Sequence, residues 1–99
     1  MKPPIKGYRF ILPPLSKNPL QHTQSFGIEP YYIRKKDGHA IKAGKAIIRI
    51  VFYTFDGYYR EAAKMALVVS DLLNQGKTYN GPKTINVATC DIEAAKSFF

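Results

Sequence analysis

The chain has a single cysteine, Cys90, in 99 residues. One thiol rules out an intrachain disulfide, and a reducing compartment is expected. Histidine is almost as scarce, with only His22 and His39. A metal site draws three or four ligands from His, Cys and carboxylates at paired spacings. These residues stand far apart and show no such spacing, so neither a metal nor a cofactor is expected. A nucleophilic triad would have to join a serine or Cys90 to His22 or His39. No glycine-flanked nucleophile elbow accompanies any of them. Cys90, beside a strand end, reads as a small buried hydrophobe. His39 reads as an exposed turn residue.

Acids are also few, seven Asp and Glu against fifteen Lys and Arg. Most fall at expected caps, turns or helix surfaces, which leaves little for two-carboxylate chemistry. Gly76-Lys77-Thr78 looks like the end of a phosphate-binding loop. That motif needs an earlier glycine where Asp71 stands, and it opens a helix where this tripeptide follows one. The sequence therefore points away from an enzyme. Long apolar runs are missing too. Nothing approaches the roughly 20 residues of a membrane span, and Met1–Leu12 has no continuous apolar stretch of the signal-peptide kind. A cytoplasmic protein with no membrane association is expected.

What the chain has is positive charge, and it is unevenly placed. The net charge is +8. Residues 1–50 hold ten Lys or Arg and two acids, whereas residues 51–99 hold five of each. The whole excess sits in the N-terminal half, which favours an anionic partner and fast electrostatic encounter.

A chain of this length makes one domain, 1–99, with a modest core. Residues 1–7 form a basic arm, and Tyr8–Leu12 a first strand. Residues 13–30 carry four prolines without a period and read as a long loop, docked through Leu15, Leu20, Phe26 and Ile28. Tyr31–Lys36 and His39–Lys42 read as strands joined by Asp37-Gly38, the pair favoured in a type I′ turn. Gly44 suggests a bulge or bend.

Ala46–Phe55 is the longest β-rich run and is expected to be the spine of the fold. Side chains alternate faces along a strand, so Ile48, Ile50 and Phe52 face a helix. Ile47, Arg49, Val51, Tyr53 and Phe55 make the other face. The helix should span about 58–75, with Asp56 or Gly57 as its cap and Gly76 just past its end. Ala62, Met65, Ala66, Val69, Leu72 and Leu73 form its apolar stripe. Leu67 and Val68 lie off that stripe and suggest a small contact patch for a protein. Thr84–Thr89 alternates as a last strand, and Asp91 caps a short C-terminal helix, Ile92–Phe99. The expected fold is α+β, with a small, largely antiparallel sheet of three to four strands on one main helix.

The candidate surface is the 31–53 sheet face. It interleaves Tyr31, Tyr32 and Tyr53 with Arg34, Lys35, Lys36, Lys42, Lys45 and Arg49. Cations meet phosphates, and aromatic faces stack bases. The pattern points to a non-enzymatic protein that binds nucleic acid. The same residue types suit an acidic protein surface, as in a phage or mobile-element counter-defence inhibitor that occludes a larger nucleic-acid-handling complex. An uncovered sheet edge or Phe98-Phe99 offers a route to a homodimer.

Overall fold

The computed structural model of the chain describes residues 4–11, 23–54 and 57–99. They form an α+β domain with a mixed five-stranded sheet, one main helix and a short C-terminal helix. The strands are β1 (Gly7–Ile11), β2 (Thr23–Ile33), β3 (Ala40–Lys42), β4 (Ile48–Tyr53) and β5 (Thr84–Asn86). The helices are α1 (Tyr59–Asn74) and α2 (Ile92–Lys96). The sheet order is β1-β2-β4-β5, and β3 pairs β2 on the side that β4 also occupies. Three of the pairings are antiparallel, and β4–β5 is parallel, joined through α1. The sheet thus has one more strand than the expected three to four.

The spine is β2 rather than the run at 46–55. β2 has eleven residues and pairs with β1, β3 and β4. Residues 23–30 are its first eight positions, so that part of the expected 13–30 loop is strand. The remainder of that loop, Leu12 of the expected first strand and Asp56 of the expected cap lie outside the described residues, as does Phe55. Phe26 and Ile28 alternate inward and are fully buried. Gly27 and Pro30 hide this period in the sequence, since both residue types are depleted from strands. Pro30 is accommodated by a local device. Its carbonyl accepts from the Ala43 N–H at 2.9 Å, on the side away from β1. On that side the partner chain bulges, and four residues of β2 (28 to 31) oppose the seven from Lys42 to Ile48. The N–H that proline lacks therefore has no ladder position to fill.

The hairpin between β2 and β3 is not a two-residue type I′ turn. That turn needs positive φ at both central residues, and only Gly38, at φ 73°, has it. The Gly38 N–H donates to the Arg34 carbonyl at 2.8 Å, and the Arg34 N–H to that of His39 at 2.9 Å, closing a four-residue loop over 35–38. The Asp37 carboxylate is occupied by the His39 N–H and by Arg34 Nε, both at 3.1 Å. Ile33 accordingly ends the strand that was expected to reach Lys36.

The core lies between one sheet face and α1. Phe26, Ile28, Ile48, Ile50, Phe52 and Ile85 meet Ala62, Met65, Ala66, Val69 and Leu73, all buried. Tyr58 is the N-cap without a side-chain cap bond, in place of the expected Asp56 or Gly57. The other end of α1 is closed as the sequence suggests. Gly76 has φ 85°. Its N–H donates to the Leu73 carbonyl at 3.0 Å, and the Lys77 N–H to that of Leu72 at 3.2 Å, a Schellman motif. β5 stops at Asn86 instead of Thr89, because the Asn86 side chain accepts from the Ala88 N–H at 2.9 Å and turns the chain. Asp91 caps α2 by accepting from the Ala94 N–H at 2.8 Å, and the helix ends at Lys96. Phe98 and Phe99 pack on Tyr79 at ring distances of 5.9 and 5.2 Å.

Candidate functional site

The sheet has a second face, turned away from α1. Register fixes what stands on it, because directly paired residues share a face. Along β2 the rows are Thr23 with Tyr53, Ser25 with Val51, and Gly27 with Ile11 and Arg49. Glu29 with Arg9 follows, then Tyr31 with Gly7 and Lys42, and last Ile33 with Ala40. Gly27 contributes no side chain, and Ala46 from the bulge comes close above it. A Cβ on Gly27 would lie 3.2 Å from that of Ala46.

Of the nine residues singled out in the sequence, this face gathers Tyr31, Lys42, Arg49 and Tyr53. Tyr32 belongs to the opposite parity and pairs with Ile41. Arg34, Lys35 and Lys36 sit at the hairpin end, all exposed, and Lys45 lies in the bulge. The structure thus divides the candidate set between a sheet face and a protruding hairpin tip. Arg34 is already engaged by Asp37. Their contact raises the Arg34 pKa and, with the His39 N–H, holds the Asp37 carboxyl below the usual carboxylate range. Lys35 and Lys36 are the cations the tip presents outward.

Two members of the face carried no signal of their own in the sequence. Arg9 stands directly opposite Glu29, and Glu29 is only 3% exposed. Arg9 Nη2 lies 3.3 Å from Glu29 Oε1, and Lys42 Nζ 3.6 Å from Oε2. The Arg9 guanidinium carbon also stands 5.8 Å from the centre of the Tyr31 ring, within cation–π range. One buried carboxylate therefore holds two cations from different strands beside an aromatic ring. The β1–β2 register brings these groups together, and the loop-like composition of residues 23–30 hides that register in the sequence. Three cations and one carboxylate leave the face positive. Tyr31 and Tyr53 are eight positions apart along β2, about 27 Å at 3.4 Å per residue, so they cannot stack neighbouring bases.

Elsewhere, Leu67 is 51% exposed and Val68 half-buried. Adjacent residues on a helix point about 100° apart, so the two look in different directions. Cys90 is partly buried against the core. Burial pushes its thiol pKa up, and the Asp91 charge adds to this. A raised pKa suppresses the thiolate. Among the described residues no three of His, Cys, Asp and Glu lie together as a metal group, and no helix is long and apolar enough to cross a membrane.

Comparison with protein-family profiles, with curated proteins and with solved structures gives no match. The functional reading therefore rests on this face and its charge.

Proposed function

We propose that this is a non-enzymatic binding protein whose open sheet face engages nucleic acid. The observation that carries the reading is the convergence of Arg9, Lys42 and Arg49 with Tyr31 and Tyr53 on the sheet face turned away from α1. The cations supply a sequence-independent attraction for phosphates, and the tyrosines supply stacking surfaces at the two ends. The separation of those tyrosines favours an extended strand lying along β2. The exposed Lys35 and Lys36 continue the positive surface past the end of β2.

Filter binding of single-stranded and duplex oligonucleotides at two salt concentrations tests this. Single strands should bind with a steep salt dependence. Replacing Lys42 and Arg49 by Glu should abolish binding, and Lys35→Glu with Lys36→Glu should lower the salt slope by about two phosphate contacts. No binding at low salt rejects the proposal. Retention of an acidic polypeptide but no oligonucleotide would assign the face to an acidic protein surface instead.

A further inference from the structure

A second site lies at the end of the sheet from which β4 and β5 start. There the segment from Gly76 to Lys83 passes from α1 to β5. With Tyr8, Ile47 and Leu73 it lines a cleft of about 600 Å³, within the range of small-molecule sites. Two lysines, Lys77 and Lys83, line it, and no carboxylate does. Neither lysine belongs to any ion pair among the described residues, whereas Lys42 and Lys96 are each paired with an acid.

The rest of the lining is of a different kind. Leu73 is buried beneath the cleft, and the rings of Tyr8 and Tyr79 contribute aromatic surface. The Tyr79 ring is fixed by Phe98, Phe99 and a hydrogen bond from its hydroxyl to the Pro82 carbonyl. Thr78 adds a hydroxyl. A helix C-terminus ordinarily repels anions. Here the Leu72 and Leu73 carbonyls already accept from the Lys77 and Gly76 N–H groups, so the anion's contacts fall to the lysines and Thr78. This geometry is unlike a phosphate-binding loop, which uses the amides of a helix start.

We propose that the cleft binds a small phosphorylated molecule bearing a planar ring, of which a nucleoside monophosphate is the simplest example. The phosphate sits between Lys77 and Lys83, and the ring lies on the Tyr8 and Ile47 side. The site is separate from the open sheet face, and either can fail without the other.

The test is titration of the ¹⁵N-labelled full chain with AMP, adenosine and inorganic phosphate, followed by amide shifts. AMP should shift the amides of 76–83 and Tyr8 saturably. Adenosine and inorganic phosphate should each bind roughly tenfold or more weakly. Both lysines are exposed, so the Lys77→Ala, Lys83→Ala double variant should keep a native spectrum and bind AMP at least about tenfold more weakly. Lys35→Ala with Lys36→Ala should leave AMP binding unchanged. Absence of saturable shifts in 76–83 overturns the proposal, as does AMP binding that is indifferent to the double variant or no tighter than adenosine.

Discussion

Glu29 combines features that rarely coincide, a carboxylate almost fully buried on the sheet face turned away from the α1 core. Burying a charge is costly unless it is paired and hydrogen-bonded. Here Arg9 and Lys42 reach it from the strands on either side at 3.3 and 3.6 Å. Each cation keeps part of its surface in water, so the pair is worth less than a fully buried one. Glu29→Gln should keep one acceptor but lose the charge, at a cost of about 1–3 kcal/mol. Urea unfolding of the wild type, Glu29→Gln, Arg9→Gln and the double variant checks this. The double-mutant cycle should return a coupling of about 0.5–2 kcal/mol. Additive effects would mean that Arg9 and Glu29 are neighbours without an interaction. The side chains of Lys35 and Lys36 have no comparable anchor in the fold, so their replacement should leave the unfolding free energy from the same urea titration within about 0.5 kcal/mol of the wild type.

The elements are locked together by contacts that span the chain, and Asn74 makes the most telling one. Its carboxamide accepts from the Tyr8 N–H at 2.7 Å and donates to the Tyr8 carbonyl at 3.1 Å. These Tyr8 groups point away from β2, so the side chain from α1 acts as one position of a missing neighbouring strand. That covers part of an edge which would otherwise invite pairing with a second chain. Asn74→Ala should cost about 1–3 kcal/mol and raise the tendency to associate, read by light scattering across a concentration series. An unchanged stability and a monomer at every concentration would show that the clamp is dispensable. Gly7 is part of the same arrangement, since a Cβ there would come within 2.9 Å of Asn74 Oδ1. None of this is visible from residues 7 or 74 in the sequence, because it links positions 66 apart. The 3.6-residue stripe of α1, its glycine stop and the Asp91 cap are local signals, and they were legible. So was the alternation of Ile48, Ile50 and Phe52. The Phe26–Ile28 part of β2 was not, because Gly27 and Pro30 read as loop residues until the bulge at 43–47 explains the proline. The site was half legible for the same reason. Arg49 and Tyr53 follow from alternation alone, whereas Arg9 and Glu29 need the register of a strand whose first half looks like a loop.

At the scale of the whole molecule, β2 decides how the protein responds to a ligand. It pairs with β1, β3 and β4 and touches α1, so the core and the open face are two sides of one strand. A partner that holds the open face therefore stabilises the entire domain by mass action. The net charge of +8 adds a background effect, because any salt relieves self-repulsion. The two can be separated by thermal unfolding at constant ionic strength. A single-stranded oligonucleotide at about 100 times its Kd should add about 2.7 kcal/mol. That corresponds to a Tm rise of roughly 10–20 °C for a chain near 100 residues. Sodium chloride of matched ionic strength should add far less. The Lys42→Glu, Arg49→Glu variant should lose the oligonucleotide effect while keeping a single cooperative transition. If polyglutamate of equal charge raised Tm as much as the oligonucleotide, the face would be a general anion surface, and the tyrosines at its two ends would have no part in recognition. A larger effect of the oligonucleotide, reduced by Tyr31→Ala or Tyr53→Ala, would tie it to stacking, since each stacked base is worth about 1–3 kcal/mol.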